Sequence, residues 1–433
     1  MIPTLIIGNA NIYQGNNLDI LPELQSNSVD AIVCDPPYEL GFMGKSWDSS
    51  GIAYSVELWT QCLRVLKPGG HLLAFGGTRT WHRLAVAIED AGFEIRDNIA
   101  WLYGSGFPKS HNVALGIDKK QGHANRGRAI PTASKYQASD IEEKNKLTSN
   151  PVEAYEAKSE EAAKWDGWGT ALKPAHEPIV VARKPVIGTV AENVLQYGVG
   201  ALNIDATRIG TGEGVVTFDR TARVEAGNTY DLGTVTGMRE SGQGRWPANI
   251  ILDEHTAQLL DEQSGISKSK PEKIGAKGGS GFGFFDNEKT ANTLGRWPED
   301  NGGGASRFFY VAKASKRDRN EGLDELPDQI LMGRDEGQDE RQVPYKTRSN
   351  PVKNTHPTVK PTALMQYLIR LVTPDNGVVL DPFAGSGSTG KAAILEGKRF
   401  IGIELTAEYL PIIEGRLKHA YLTLDDKEDD LFE

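Results

Sequence analysis

Cysteine is almost absent from this 433-residue chain, with Cys34 and Cys62 the whole complement. Two cysteines exclude a disulfide scaffold and any multi-cysteine zinc site. Long apolar runs are missing too. None approaches the roughly 18 residues that a membrane helix needs, which excludes a spanning protein. The first residues, MIPTLIIGNANIY, show no basic region and no cleavage site, so the expected location is cytoplasmic rather than secreted. Hydrophobic residues are few, at 39%, whereas 48 Gly and 22 Pro point to long loops. Positive charge is also in deficit: 48 basic against 58 acidic side chains leave a net charge of −10, which by itself argues against a nucleic-acid partner. The charge is unevenly spread, however. Residues 425–433 hold six acids and one Lys, so half of the excess lies in nine residues.

The length suits two or three domains at roughly 100–200 residues each. Residues 1–117 read as α/β. The apolar run 29–34 is a buried strand. Val56, Trp59, Leu63 and Leu66 recur at helical spacing, and Lys67-Pro-Gly-Gly70 stops that helix. Residues 71–75 follow as a strand, 80–91 as a helix and 94–103 as a strand, an alternation that implies a mostly parallel sheet with helices on its faces. Residues 118–170 are charged and weakly periodic, and read as a solvated, partly disordered insertion. Strand character returns over 171–185. Residues 186–345 are rich in Gly, Asn and Arg, with short apolar runs at 249–252 and 308–312, and read as a separate, loop-rich module. Order resumes over 346–424, with a helix at 362–372, a strand at 377–380, a Gly-rich turn, a helix at 389–396 and a strand at 399–403. The acidic tail, 425–433, comes last.

Two short segments point to chemistry. In the first, Gly385 and Gly387 let the backbone approach a ligand closely. Glu404, 17 residues after Gly387, has the place of a carboxylate that accepts from ribose hydroxyls. A plain helix-entry turn is the alternative. The same letters match a phosphate-binding loop from Gly385 to Gly390-Lys391, except that Ala392 stands where Ser or Thr would hold magnesium. The second segment, Asp35-Pro-Pro-Tyr38, directly follows the strand 29–34, at the carboxyl end where open α/β sheets bind ligands. Asp35 offers a carboxylate. Pro36 offers a main-chain carbonyl, its direction restrained by the rings of Pro36 and Pro37. Two acceptors suit an amino group with two hydrogens, and Tyr38 supplies a flat surface for a planar ring. A turn closing a strand is the plainer reading.

Asp35-Pro-Pro-Tyr38 together with Asp381-Pro-Phe-Ala-Gly-Ser-Gly387 resembles the amino-group DNA methyltransferases, in the order (catalytic tetrapeptide, variable stretch, cofactor loop) called β. His356-Pro-Thr-Val-Lys-Pro361 matches them too. The resemblance implies a Rossmann-like methyltransferase fold with a mostly parallel twisted sheet, and a target-recognition module in the middle stretch. It implies S-adenosylmethionine as cofactor and double-stranded DNA as substrate, in a bacterial or phage restriction–modification setting. Adenine N6 is expected before cytosine N4. It assigns Asp35, Pro36, Pro37 and Tyr38 to catalysis. To the cofactor it assigns Asp381, Pro382, Phe383, Ala384, Gly385, Ser386, Gly387 and Glu404, with Thr358 and Lys360. Relatives often have Gly-Asp where this chain has Gly15-Asn16, so Asn16 is an uncharged substitute at the cofactor adenine.

The chemistry implied is a direct in-line displacement on a base flipped out of the duplex, with no metal. Cys34 raises the rival of cytosine C5 methylation through a thiolate; strand alternation places it on the opposite face. An RNA methyltransferase and a non-catalytic nucleic-acid-binding regulator are further alternatives, and a homodimer is among the partners considered. The basic residues of the aromatic stretch 306–320, Arg307, Lys313, Lys316 and Arg317, are expected DNA contacts. Arg245 and Arg296, in the twice-occurring Gly-Arg-Trp-Pro, join them. The loop 104–110 either borders the base pocket or is a surface turn. Trp47-Asp48 is expected to pack a loop, and His71, His82 and His176 to be structural.

Overall fold

The computed structural model describes residues 1–40, 46–104, 106, 110–123, 155–210, 244–267, 302–312, 317–328 and 353–429. The chain divides into two units, one made of Met1–Leu102 with Glu177–Glu433 and the other of Tyr103–His176.

The larger unit is α/β and is organised around two strands from opposite ends of the chain. β3 (Val29–Cys34) and β9 (Val378–Asp381) are buried along their whole length, which is why both read as unbroken apolar runs. Their side chains alternate between two cores. Ala31 and Val33 pack with the residues of helices Thr362–Val372, Ser388–Leu395 and Leu410–Asp429. Ile32 and Cys34 pack with those of helices Val56–Val65 and Trp81–Asp90.

Eight further strands extend the sheet: β1 (Leu5–Ile7), β2 (Ala10–Gln14), β4 (Leu66–Phe75), β5 (Glu94–Leu102), β6 (His176–Arg183), β7 (Ile250–Asp253), β8 (Tyr310–Ala312) and β10 (Arg399–Glu404). Their order is β1-β2-β10-β9-β3-β4-β6-β5-β7-β8. Strands β2, β10, β9, β3 and β4 are parallel, whereas β1 and β6 run against their neighbours β2 and β4. The chain winds outward from β9 to β10 on one side and from β3 to β4 on the other. The winding therefore reverses between β9 and β3, where an open sheet leaves a crevice at its carboxyl edge.

Asp30 fastens this junction. Its Oδ2 accepts the Val378 N–H at 2.7 Å, and its Oδ1 accepts Lys67 Nζ at 2.6 Å.

Several elements depart from the sequence reading. Lys67-Pro-Gly-Gly70 ends the helix at Val65 but lies inside β4. Val29 pairs with Leu66 and Ala31 with His71, so residues 67–70 bulge out of an otherwise continuous ladder. Gly70 has no room for a side chain, since a Cβ would stand 2.9 Å from the Asp30 carbonyl oxygen. Strands β1 and β2 and helix Leu410–Asp429, which takes in the start of the acidic tail, carried no motif that marked them. The stretch 186–345, expected to stand apart, contributes β7 and β8 to the sheet: β7 pairs parallel with β5 and β8 with β7.

In the smaller unit, helices Val113–Lys120 and Glu160–Lys164 come from the two ends of the charged stretch. Buried Asp118 accepts from Tyr155 Oη, the N–H groups of Lys158 and Ser159, and Ser159 Oγ. Those bonds hold its carboxyl down at about 2 despite burial. Residues 124–154 lie outside the described residues. Among the described residues no helix is long and apolar enough to cross a membrane.

Replacing Asp30 by Ala strands the buried Val378 N–H and removes the partner of Lys67. The expected loss is about 2–3 kcal/mol of stability, read from the urea midpoint.

Candidate active site

The junction of β3 and β9 places the two sequence motifs side by side, because Ile32 pairs with Leu380 and Gly402 with Asp381. Asp35 follows the end of β3, the loop 381–387 follows β9, and Glu404 ends β10.

The tetrapeptide is held at several points. The Tyr38 carbonyl accepts Thr80 Oγ1 at 2.8 Å, and the Tyr38 hydroxyl donates to Glu177 Oε2 at 2.8 Å. Gly77 leaves room for the ring, since a Cβ there would approach Tyr38 Cδ2 to 3.2 Å. Beyond Tyr38, the N–H groups of Glu39 and Leu40 donate to buried Asp48, whose packing role was expected. Asp35 Oδ2 accepts Lys360 Nζ at 2.6 Å, while Oδ1 is buried and accepts no hydrogen bond. Burial raises the Asp35 carboxyl above its usual range, opposed by the adjoining Lys360 ammonium.

The loop after β9 is shaped by its own acids. Asp381 accepts Thr389 Oγ1 at 2.6 Å and the Phe383 N–H at 2.9 Å. Burial pushes its carboxyl up to about 7. Glu404 accepts the Gly385 N–H at 2.7 Å and the Thr406 N–H at 2.8 Å. Burial raises the Glu404 carboxyl above its usual range, opposed by bonds from Thr406, Gly385 and Leu405. Gly385 and Gly387 have φ of +53° and +74°. Their demand is internal: a Cβ on Gly385 would lie 2.9 Å from His356 Nε2, and one on Gly387 3.1 Å from Leu417 Cδ1. Behind the loop, fully buried Arg416 donates to the Ser386 carbonyl and to the hydroxyls of Ser386 and Ser388. Phe383 packs obliquely on Trp59, at 6.3 Å between centroids.

The phosphate-loop alternative fails here. Lys391 Nζ points away from the loop and pairs with Asp318 at 2.7 Å and Glu321 at 2.8 Å. The thiolate alternative fails as well, because burial pushes the Cys34 thiol well up and Cys34 faces the core opposite Val33. His71 is buried and neutral, lowered to about 4 mainly by desolvation.

Three further residues that the resemblance assigned to the cofactor have these surroundings. Asn16 caps helix Asn17–Ile20 by accepting the Leu18 N–H, and it is Asn17 that reaches the loop, donating to the Pro382 carbonyl at 3.3 Å. Thr358 is exposed, and its N–H donates to His356 Nδ1. Lys360 stands against Asp35 and Glu177, on the side of the tetrapeptide.

The basic residues are divided. Arg307 donates to the carbonyls of Gly303 and Gly304, Arg245 to that of Arg307, and both lie over the Phe308 ring. Tyr310 stacks on Tyr367 at 4.0 Å, as an aromatic strand packed into the core would. Arg317 is exposed, 3.7 Å from Glu321. Lys313, Lys316 and Arg296 lie outside the described residues, as does most of the loop 104–110.

Sequence reasoning missed Glu177, Asn17 and Arg416. Glu177 opens an apolar strand and Arg416 sits within a helix, and neither belongs to a motif. Among the described residues no cluster of His, Cys, Asp and Glu is disposed to hold a metal.

Asp381 binds a proton more tightly folded than unfolded, so its contribution to stability falls as pH rises from about 4 through 7. Asp381→Asn should gain stability relative to the unaltered protein between pH 5 and 8, as read by urea denaturation at both values.

A family model described as DNA methylase, for N6 and N4 methyltransferases, matches residues 29–415. The DNA adenine methyltransferase YhdJ of Escherichia coli (strain K12) is 51% identical over 62 residues, 14% of this chain and 21% of the relative. The type II methyltransferase M.ScaI of Streptomyces caespitosus is 41% identical over 71 residues, 16% of this chain and 23% of the relative. The chain thus spans about a quarter of the length of these relatives. The solved PvuII DNA methyltransferase, cytosine-N4-specific, aligns with a TM-score of 0.41 at 12% identity, over 96% of this chain and 88% of that one. With its match reaching from β3 to helix Leu410–Asp429, the chain belongs to the N6/N4 DNA methylase family.

Proposed function

We propose that this protein transfers the methyl group of S-adenosylmethionine to the exocyclic amino group of a base in double-stranded DNA, adenine N6 before cytosine N4. The observation that carries the reading is Asp35 Oδ1, a buried acceptor with no hydrogen bond, in a tetrapeptide beside a Gly-rich loop and Glu404.

An exocyclic amino nitrogen is a poor nucleophile because its lone pair is delocalised into the ring. Asp35 Oδ1 and the Pro36 carbonyl accept its two hydrogens and favour a nitrogen with its lone pair localised. This is stabilisation by preorganised acceptors and positioning. The extra proton on the methylated nitrogen passes to Asp35 Oδ1, the base that faces it. Tyr38, its carbonyl held by Thr80 and its hydroxyl by Glu177, is the stacking surface for a flipped base.

The residues fit the cofactor. Glu404, at the end of β10, stands where a carboxylate would meet ribose hydroxyls, and Asp381 with Asn17 and Arg416 fixes the loop whose Phe383–Gly387 backbone would lie along the methionine side. S-adenosylmethionine supplies, when bound, a methyl group on a sulfonium.

Adenine is preferred because Asp heads the tetrapeptide and because one similar protein is named a DNA adenine methyltransferase. The stretch 186–345 is the proposed target-recognition region. Arg317, Lys313, Lys316, Arg245, Arg296 and Arg307 are its proposed DNA contacts, with Arg317 the exposed one among those described. A cytoplasmic location and a homodimer belong to the same reading.

Asp35→Ala should lower methyl transfer from labelled cofactor to DNA by about a hundred- to a thousandfold while cofactor binding by equilibrium dialysis persists. Nucleoside analysis of the product, with RNA assayed in parallel, reports the base, atom and polymer. Unchanged transfer by the variant would refute the assignment. Cys34→Ala should retain transfer, whereas a thiolate mechanism requires its loss.

A further inference from the structure

Lys360 and Glu177 form a buried ion cluster with the catalytic Asp. Lys360 Nζ lies 2.6 Å from Asp35 Oδ2 and 3.3 Å from Glu177 Oε2, with side-chain exposures of 7%, 18% and 19% for Lys360, Asp35 and Glu177. The ammonium also sits over the rings of Tyr38, at 5.4 Å, and Phe75, at 5.0 Å. Glu177 Oε2 accepts the Tyr38 hydroxyl as well. Three segments widely separated in sequence therefore meet at one carboxylate. Lys has only donors to offer, and its bond to Oδ2 leaves the opposite oxygen, Oδ1, buried and without a partner.

We infer that Lys360 and Glu177 are positioning residues for methyl transfer, Lys360 by holding Asp35 ionised and oriented, and Glu177 by holding both the ammonium and the Tyr38 hydroxyl. The inference rests on the methyl-transfer reading above. It moves Lys360 from the cofactor to the target base, and it gives Glu177 a task that no motif marks. Two carboxylates around one ammonium make a cluster of net charge −1. The charges on Asp35 are thus opposed: Lys360 favours its ionised form, whereas Glu177 disfavours it. Tyr38, Asp381 and the Cys34 thiol complete the titratable groups that interact with it.

A buried pair that merely stabilises the fold and a pair that sets Asp35 for reaction differ in their effect on the pH profile. Transfer requires ionised Asp35, so its acid limb follows that carboxyl. Lys360→Met removes the attracting charge and should move the limb of kcat upward by about one to three pH units. Glu177→Gln removes the repelling charge but keeps an acceptor for Tyr38 and Lys360, and should move the limb downward with a modest loss of kcat. KM for S-adenosylmethionine should stay unchanged in both.

The experiment is the pH dependence of methyl transfer to DNA by the full chain, with folding checked by circular dichroism. Should Lys360→Met not fold, the Glu177→Gln profile tests the inference alone. Limbs that stay in place or shift in the same direction overturn it, as does a rise in KM for the cofactor with kcat unaltered. An unaltered protein that methylates neither DNA nor RNA overturns the underlying reading and this inference together, whereas an active protein with unshifted limbs overturns the inference only.

Discussion

The pairing of β3 with β9 is the constraint on which the site depends. The strands are separated by more than 340 residues of chain, yet their contact is specified from both sides. Each carries alternating residues into two cores, and Asp30 adds a directed bond from β3 to the first amide of β9. A slip of one residue would exchange the faces and put apolar side chains in the wrong cores. The correct register places Asp35 and the 381–387 loop next to each other at the carboxyl edge. The chemistry of the site is therefore inherited from the register of a hydrophobic ladder.

Within this frame, the buried carboxylates divide by what they face. Asp381 faces inward, to a hydroxyl and an amide that shape a loop, and desolvation brings it toward the neutral form. Asp35 faces a buried ammonium with one oxygen and leaves the other without a partner. Burial raises both, and the Lys360 cation is what sets Asp35 apart. Two acids at the ends of adjacent strands thus acquire different characters from their neighbours alone.

The tetrapeptide, the Gly-rich loop, the strand-terminal Glu404 and most central elements were legible in the sequence because each is local. An apolar run, a helix-stop signal and a short motif all lie within a few residues. What was not legible depends on groups brought together by folding. Glu177 opens an apolar strand and becomes significant only when Tyr38 and Lys360 arrive. Asn17 rather than Asn16 reaches the loop because Asn16 is committed to a helix cap. The bulge at 67–70 was not legible either: the helix stops as read, but the chain has already joined the ladder at Leu66 and rejoins it at His71. In the basic stretch 306–320 composition records charge but not direction. Arg307 and Arg319 turn to main-chain carbonyls, the latter to those of Asn354 and His356.

Asp318, the single acid in that basic stretch, ties it to three helices of the core. It accepts the first amide and the hydroxyl of Thr362, pairs with Lys391 behind the glycine loop, and lies 3.6 Å from Arg416 of the last helix. It is a seam between the segment after β8 and the helices Thr362–Val372, Ser388–Leu395 and Leu410–Asp429. A displacement of this one carboxylate would strip the Thr362 amide and Lys391 of a partner at the same time.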